Sequence, residues 1–366
     1  MKTKNYTIWD KVANYFSIDI GLDLGTANVV VYIKDKGIVA NEPSVVAVQR
    51  DRTGDINILA VGDEAKLMIG KTPGSIEAIR PLKEGVIADF EVTQKMLEYF
   101  ISKYHKNNFL VRPRVVVSVP IGITPVEKRA VVEAAESAGA REVYLIEETM
   151  AAALGAEMDS VLSSRGGMII DIGGGTTGIS VISLGGLVLS KSIKTAGDSM
   201  NNAIIDYVKK TCNILIGENM AETVKKTIAD VSNNPSESLQ MQVRGRSLED
   251  GLPTSIDLRA SDTKKALDTS VDEIISAVRE TLDLTPPELA GDIIVDGIVL
   301  AGGGALLGGL AERISSSTKL KVSVGEDPLL CVVNGCGKAL EEINTCLLYT
   351  SPSPRDLSTS RMPSSA

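Results

Sequence analysis

Histidine and aromatic side chains are scarce in this chain of 366 residues. Aromatic residues make up 4% of it, and His105 is the single histidine. A lone histidine in a polar stretch is more typical of a surface position than of a ligand or a catalytic base. The four cysteines form no Cys-x-x-Cys pair, which argues against a metal site and favours reduced, mostly buried thiols at Cys212, Cys331, Cys336 and Cys346.

Long apolar runs and two common nucleotide motifs are also missing. No segment approaches the length of about 20 residues needed to span a bilayer, and no secretory signal is recognisable. No Gly-x-x-x-x-Gly-Lys-Ser/Thr motif occurs, and no Gly-x-Gly-x-x-Gly motif opens the first strand, which argues against P-loop and dinucleotide-binding folds. A net charge of −9 argues against a nucleic-acid-binding surface. We therefore expect a cytosolic globular protein of two or more domains.

One motif occurs twice and is the most informative feature of the sequence. Each copy is an apolar strand ending near an aspartate, a turn rich in glycine and threonine, and a second apolar strand, at residues 18–33 around Asp23 and residues 168–182 around Asp171. The β-branched runs predict buried strands, and the turns leave N–H groups available to an anion. One such hairpin could be an ordinary tight turn, but two with matched acids predict a duplicated site.

The paired aspartates indicate which ligand the two turns bind. Two such turns facing each other would clamp a phosphate chain, but their carboxylates would repel it unless a hard cation such as Mg2+ lay between them with its waters retained. A third glycine cluster, residues 297–308, predicts a buried strand, a glycine turn and then a helix. Such a turn lets the backbone lie flat against a nucleoside. The sequence thus predicts a nucleotide–Mg2+ site.

These motifs resemble the actin, hexokinase and heat-shock chaperone ATPase superfamily, and within it the MreB/Mbl family. The resemblance covers about residues 17–345 and includes stretches outside the nucleotide motifs, at residues 60–74, 78–90, 139–148 and 327–335. It implies an α/β, actin-like ATPase fold, a duplicated ribonuclease H-like fold with two lobes, each with a subdomain, and the nucleotide in the interlobe cleft.

The resemblance also implies domain boundaries. Lobe I would span residues 17–160, with a subdomain at about 37–82, and lobe II residues 161–320, with an insertion at about 197–262. Residues 321–345 would return to lobe I. A strand is expected at 115–119, an amphipathic helix from Thr124-Pro125 to about Ala138, a helix at 150–157 and another beginning at Gly337.

Site roles follow from the motifs and the resemblance together. Asp23 and Asp171 would position Mg2+ through waters, and Glu148 would orient the water that attacks the γ-phosphate, with Glu147 as the alternative. Glu222 would contact the ribose and Lys225 the adenine, although sequence alone favours a solvated helix pair. The remaining residues expected to contact ATP are Gly25, Thr26, Ala27, Asn28, Gly173, Gly174, Gly175, Thr176, Thr177, Gly302, Gly303 and Gly304, of which Thr176 is also expected to act in catalysis.

One position departs from the family pattern. MreB proteins normally have proline after the second glutamate, whereas Thr149 follows Glu148 here. Threonine can cap the helix but leaves the backbone more freedom than proline does. We expect ATP binding to persist, and the rate of hydrolysis is left open.

Both ends of the chain differ in character from the rest. Residues 1–16 are basic, with Ile8, Trp9, Val12 and Phe16 at helical spacing, which is typical of either an interfacial helix or a helix packed on its own domain. The resemblance favours membrane contact, with Phe109 and Leu110 as an adjacent apolar loop. The Ser/Pro-rich residues 346–366 are interpreted as a non-native tail, the alternative being a native disordered one.

The sequence thus predicts an ATP-dependent filament protein on the inner face of the cytoplasmic membrane. The resemblance implies self-association into paired antiparallel protofilaments through the helix that begins at Pro125, and cell-wall elongation membrane proteins as partners. It also implies a role in cell shape and wall synthesis. The alternatives are a small-molecule kinase, which would carry an acceptor pocket, and a chaperone ATPase, which would carry a peptide-binding domain.

Overall fold

The computed structural model describes residues 19–50, 56–104, 112–161 and 163–342. The predicted membrane segment 1–16, His105, Phe109, Leu110 and the tail 346–366 lie outside these residues. The described chain forms two compact units. The first contains the described residues up to 119, residues 123–147 and residues from 336 onwards; the second contains residues 120–122 and 148–335.

The first unit is built on a five-stranded sheet with a smaller sheet beside it in sequence. Its elements are β1 (Ile20–Leu24), β2 (Asn28–Ile33), β3 (Gly37–Pro43), β4 (Val46–Arg50), β5 (Ile56–Val61), α1 (Asp63–Met68), β6 (Ile76–Ile79), β7 (Leu82–Lys83), β8 (Val86–Ile87), α2 (Phe90–Tyr104), β9 (Arg114–Val119), α3 (Pro125–Ser137) and β10 (Glu142–Glu147). The large sheet has the order β10-β9-β1-β2-β3, and β5-β4-β6 form the small sheet.

The second unit repeats the large sheet. Its elements are α4 (Glu148–Gly155), a 3-10 turn (Asp159–Val161), β11 (Gly167–Ile172), β12 (Thr177–Ser183), β13 (Gly186–Ile193), α5 (Gly197–Cys212), β14 (Ile214–Leu215), α6 (Glu218–Ile228), β15 (Gln240–Ser247), β16 (Pro253–Arg259), α7 (Ala260–Asp283), α8 (Pro287–Asp296), β17 (Ile298–Ala301), a 3-10 turn (Gly303–Leu306), α9 (Leu310–Thr318) and β18 (Val322–Val324). The last helix, α10 (Cys331–Glu342), begins in this unit, and its residues from 336 onwards belong to the first unit. The large sheet has the order β13-β12-β11-β17-β18, and β14-β15-β16 form a separate sheet.

The two large sheets share one topology. In each, the motif strand lies in the centre, pairs antiparallel with the following strand, and pairs parallel with a later strand on its other side. The two central strands β1 and β11 are buried along almost their whole length because both faces of each sheet are covered. The duplication inferred from the spacing of Asp23 and Asp171 is therefore present in the topology.

Local signals placed several elements accurately. Helix α3 begins with the predicted Pro125 after a capping box, in which the Glu127 N–H donates to Thr124 Oγ1 at 3.2 Å and the Thr124 N–H donates to a Glu127 carboxylate oxygen at 2.6 Å. The predicted strand at 115–119 is β9. Cys331 and Cys336 are buried free thiols and Cys212 is a half-buried one, as expected.

Tertiary packing moved other boundaries. Helix α10 begins at Cys331, six residues before the predicted Gly337, and α4 begins at Glu148, two residues before the predicted start. Gly335, inside α10, packs closely against Ala151. A Cβ at Gly335 would lie 1.8 Å from the Ala151 carbonyl oxygen, so only glycine permits this contact. The two compact units are divided at 147/148 and at 335/336. The expected lobe boundaries, 160/161 and 320/321, stay a prediction. Helix α4 packs on β11 and β12, which places it in the second unit.

The predicted subdomains are also smaller or differently joined. Strand β3 belongs to the large sheet, so the small sheet of the first unit starts at Val46 rather than near residue 37. In the second unit, α5 and α6 contribute Met200, Ile204 and Val224 to the main hydrophobic core. The insertion is therefore continuous with that core.

Candidate functional site

The Asp23 turn of the first unit is hydrogen-bonded to Ser118 on the neighbouring strand β9. The Ser118 hydroxyl, on β9, donates to Asp23 Oδ1 at 2.7 Å, and the Leu24 N–H donates to Ser118 Oγ at 3.3 Å. Sequence reasoning missed Ser118. A single polar residue within the buried run Val115–Val119 was the available signal, because a buried hydroxyl needs a partner.

The Asp23 carboxylate is costly to ionise in this position. Burial raises the pKa of Asp23 from its usual value of 3.8 to about 6, and the hydrogen bond from Ser118 lowers it only in part. The residue keeps some accessible surface beside the turn. A cation placed there would offset the lost hydration, so this carboxylate suits the predicted Mg2+ environment.

The carbonyl and side-chain groups of this turn are occupied by other parts of the first unit. The Ser44 hydroxyl donates to the Gly25 carbonyl at 2.6 Å, the Gly85 N–H donates to Thr26 Oγ1 at 3.2 Å, and Asn28 Nδ2 donates to Asn41 Oδ1 at 2.6 Å. Within the described chain, no hydrogen bond is donated by the backbone N–H groups of Gly25, Thr26 and Ala27. Such amides are the groups a phosphate would accept from.

The Asp171 turn of the second unit likewise has carbonyl groups that accept internal hydrogen bonds and amides that donate none. The Gly173 N–H donates to the Thr176 carbonyl at 2.9 Å and closes the turn. Helix α5 starts against it, because the Gly197 N–H donates to the Gly173 carbonyl at 3.1 Å and the Asp198 N–H to the Gly174 carbonyl at 2.7 Å. In the part of the chain that the structure describes, the N–H groups of Gly174, Gly175 and Thr176 donate to no protein acceptor.

The third glycine cluster is brought directly onto this turn. Gly302 has φ +77°, and a Cβ there would lie 2.6 Å from Asp171 Oδ1 and 2.4 Å from the Ile172 carbonyl oxygen. A Cβ on Gly304 would lie 2.2 Å from Ile172 Cγ2. Glycine at both positions is therefore a steric requirement of the approach to Asp171. The expected helix begins at Leu310, after a 3-10 turn that starts at Gly303.

The residues predicted to contact the nucleoside have protein partners in the second unit. Lys225 Nζ donates to the Gly197 carbonyl at 2.6 Å, which brings the lysine to the Asp171 turn, and Lys226 Nζ donates to a Glu222 carboxylate oxygen at 2.6 Å. The ribose and adenine roles remain predictions.

Thr177 and Thr149 are committed to the protein interior. The Thr177 hydroxyl donates to the Thr195 carbonyl at 2.7 Å and the residue is fully buried. The expected contact of Thr177 with ATP stays a prediction. Thr149 is likewise fully buried, and its hydroxyl lies 2.7 Å from the Ser180 hydroxyl rather than capping helix α4. Both outcomes depend on residues distant in sequence.

The two candidate water-orienting glutamates differ in environment. Glu147 ends β10 in the first unit, with an oxygen 3.7 Å from Lys128 Nζ. Glu148 begins α4 in the second unit, next to the strand that carries Asp171. Because Glu148 lies in the same unit as Asp171 and its helix packs on the strand that carries Asp171, its position fits the expected role, which stays a prediction.

Mg2+ would have few protein ligands in this arrangement. The described residues contain no group of three or more histidine, cysteine or acidic side chains that could hold a metal ion. A Mg2+ ion held by one or two carboxylates, its own waters and substrate phosphates needs no such cluster. Asp23 in the first unit and Asp171 in the second each offer a carboxylate of that kind.

None of the described helices is long and apolar enough to span a bilayer.

Two sheets of one topology, each with an acidic central strand running into a phosphate-type turn, define an actin-like fold. Solved structures agree. The crystal structure of MreB5 of Spiroplasma citri bound to AMPPNP has a TM-score of 0.84 and 38% identity, over 90% of this chain and 97% of that one. A MamK double helical filament has a TM-score of 0.75 and 23% identity, over 89% and 99%, which concerns the fold alone.

Sequence comparison identifies the family. The family model for MreB/Mbl protein matches residues 17–347. The cell shape-determining protein MreB of Escherichia coli (strain K12) is 50% identical over 91% of this chain and 96% of its own length. The cell shape-determining protein Mbl of Bacillus subtilis (strain 168) is 46% identical over 90% and 97%. The chain belongs to the MreB/Mbl family.

The raised pKa of Asp23 predicts a pH-dependent effect of Asp23→Asn on the free energy of unfolding. Because the folded-state pKa of about 6 exceeds the usual 3.8, the folded protein binds the proton more tightly, and stability falls as pH rises through this window. Nucleotide-free Asp23→Asn should be more stable than wild type by about 3 kcal/mol at pH 8 and by about half of that at pH 5. Urea unfolding at both values measures this.

Ser118→Ala provides a second test of the same carboxylate. Removing the hydroxyl that stabilises the ionised carboxylate should raise the pKa of Asp23 further and steepen the loss of stability towards pH 8. An Asp23→Asn effect of equal size at pH 5 and pH 8 would contradict the ionisation argument.

Proposed function

We propose that this protein binds ATP with Mg2+, hydrolyses it slowly, and assembles into membrane-associated filaments that organise cell shape and cell-wall synthesis. The observation that carries the proposal is a pair of turns in which several carbonyl groups accept internal hydrogen bonds, while the amides of Gly25 to Ala27 and of Gly174 to Thr176 donate none within the described chain. Structures of Spiroplasma citri MreB5 bound to AMPPNP and to ADP support nucleotide binding. Self-association is supported by the exposed Val126 at the start of α3.

The residues divide the work of binding by unit. In the first unit, the amides of Gly25, Thr26 and Ala27 would bind phosphate oxygens. In the second unit, the amides of Gly174 to Thr176 would do the same, with Lys225 and Gly302 to Gly304 close to the turn. Asp23 and Asp171 would hold Mg2+ through its waters. The bound Mg2+ would neutralise charge on the phosphates.

Glu148 would orient the attacking water and accept its proton. Its place at the start of α4, on the same unit as Asp171, supports that role. Because the rate depends on an acceptor held in line with the reacting phosphate, loss of this carboxylate should affect turnover more than binding.

Glu148→Ala is therefore expected to keep its affinity for ATP and to slow hydrolysis by about 10²-fold or more. Fluorescent-nucleotide titration and phosphate release measure the two quantities. Glu147→Ala is the matched control, since its carboxylate pairs with Lys128, and it should hydrolyse ATP at the wild-type rate. If Glu147→Ala is the slow variant, the assignment is displaced by one residue.

Self-association through α3 is supported by one exposed apolar side chain. Val126 is 77% exposed at the start of this helix, whereas Ala134 and Ala135 are buried within the first unit. The alanines therefore serve the core of their own unit. Val126 is the position that distinguishes an interface from internal packing.

Val126→Glu should block paired filaments while leaving folding and ATP binding intact. In a two-fold contact each copy would place the new carboxylate against its equivalent, and like charges would repel. Electron microscopy of the variant with ATP tests this. Lys128→Glu and Lys103→Glu are poor controls because they break the ion pairs with Glu147 and Glu42, so Lys36→Glu at an exposed position outside α3 is preferable. Normal paired filaments from Val126→Glu would remove α3 from the interface.

Membrane attachment is supported by where two segments join the described fold. Strands β1 and β9 lie side by side and parallel, with Ile20 opposite Val115. Arg114, the first residue of β9, donates from Nε to Oδ1 of Asp19, the residue before β1, at 3.1 Å in a buried ion pair. Adjacent strands are about 4.8 Å apart. Residues 1–18 and 105–111 therefore both connect to the first unit at the same end of one sheet.

Binding to vesicles should require both segments and polymerisation. One short apolar face binds weakly, and basic residues add about 1 kcal/mol each near anionic lipid, so firm attachment would come from many copies in a filament. Electron microscopy and pelleting with anionic liposomes and ATP should show membrane-bound filaments that detach as salt is raised.

A variant with polar residues at Trp9 and Phe16 together with Phe109→Ser should polymerise but not pellet with the liposomes. Val126→Glu separates the loss of paired filaments from the loss of membrane contact. Equal pelleting of the triple variant, or no pelleting of wild-type filaments, would contradict membrane attachment through these segments. A soluble monomer with acceptor-dependent turnover would favour the kinase alternative.

A further inference from the structure

Thr149 and Ser180 form a buried hydroxyl pair that joins helix α4 to strand β12. Thr149 is the second residue of the helix, Ser180 lies in the middle of the strand, and both residues are fully buried. The two hydroxyl oxygens are 2.7 Å apart, and either group can donate. A hydrogen bond between buried hydroxyls is strongly favoured once formed, since neither group has water as an alternative partner.

The other branch of the Thr149 side chain is also in close contact with β12. A Cβ on Gly178 would lie 2.7 Å from Thr149 Cγ2, so a side chain at that position would collide with the threonine methyl. Gly178 and Ser180 are two residues apart and therefore face the same side of β12. With both branches engaged, Thr149 is held in a single rotamer.

These contacts connect the first turn of α4 to the strand pair that carries Asp171. In the β11–β12 register, Gly178 lies opposite Asp171 and Ser180 lies opposite Ile169. Glu148 is the residue immediately before Thr149 and the first of the helix. Thr149 thus fixes the start of the helix against the residue that is paired with Asp171.

We propose that the Thr149–Ser180 pair positions Glu148 relative to Asp171 and that hydrolysis depends on it, an inference that rests on the proposed function of Glu148. The pair does not touch substrate and acts through the helix. The first turn of a helix lacks intrahelical acceptors for its N–H groups and is the part most able to shift. A displacement of about 1 Å in a catalytic group can cost about 10²-fold in rate, so a weakened anchor should appear in kcat.

Thr149→Val tests the hydrogen bond with little change of shape. We expect kcat for ATP hydrolysis to fall about tenfold or more while KM and the nucleotide Kd change by less than about twofold. Thr149→Ser keeps the hydroxyl and should retain most of the wild-type kcat. A purely structural role would lower the melting temperature of Thr149→Val without this split between kcat and KM.

A double-mutant cycle and a matched control make the test specific. Ser180→Ala removes the partner hydroxyl, and the double variant should be no slower than the slower single variant because both changes break one interaction. Thr281→Val removes another buried hydroxyl of the same unit, which donates to the Ala277 carbonyl at 2.9 Å within α7. It should hydrolyse ATP at the wild-type rate.

The outcomes separate this inference from the proposed function. If Glu148→Ala is slow but Thr149→Val has wild-type kcat, the positioning role is wrong and the role of Glu148 stands. If Glu148→Ala is as fast as wild type, both are wrong. Additive losses in the double variant, or an equal loss in Thr281→Val, would also overturn the inference. If Thr149→Val fails to fold, Ser180→Ala and Thr149→Ser carry the same comparison.

Discussion

The steric space beside Asp171 is the constraint on which the second unit depends. Gly302 approaches so closely that a side chain there would overlap both the Asp171 carboxylate and the Ile172 carbonyl. This close approach lets β17 lie parallel to β11 and places the glycine turn after β17 at the C-terminal end of β11, next to Asp171. With the α5 N-terminus also bonded to it, the turn is held by main-chain bonds, and its amides remain available for a ligand.

The first unit meets a similar requirement with different residues. Its turn carries fewer glycines after the aspartate, and side chains hold it: Ser44 on the Gly25 carbonyl, Thr26 on the Gly85 amide and Ser118 on Asp23. The desolvated Asp23 carboxylate is destabilising without a ligand, and a cation would relieve that cost. The ionised Asp23 thus lowers the stability of the ligand-free protein and favours the binding of a cation.

Residues that would bind phosphate and the residue that would orient water are positioned by different means. The binding groups are backbone amides fixed by local turn geometry. Glu148 is fixed at the start of a helix, through Thr149 and its contacts with β12. Binding should therefore tolerate changes in the α4 anchor that hydrolysis does not.

The sequence by itself determined the duplicated strand–turn–strand units, the glycine clusters and the capped start of α3, because buried strands, tight turns and helix caps depend on residues a few positions apart. It also predicted that the glycines of Gly173 to Gly175 and Gly302 to Gly304 belong to one site, and Gly302 and Gly304 do lie against Asp171 and Ile172, just before the first cluster. Only the tertiary structure decided that Ser118 supports Asp23, that the Thr177 hydroxyl serves the interior, and that α10 begins at Cys331. Those outcomes depend on partners far away in sequence, 95 residues in the case of Ser118 and Asp23, whose proximity is fixed by sheet pairing and helix packing rather than by local pattern.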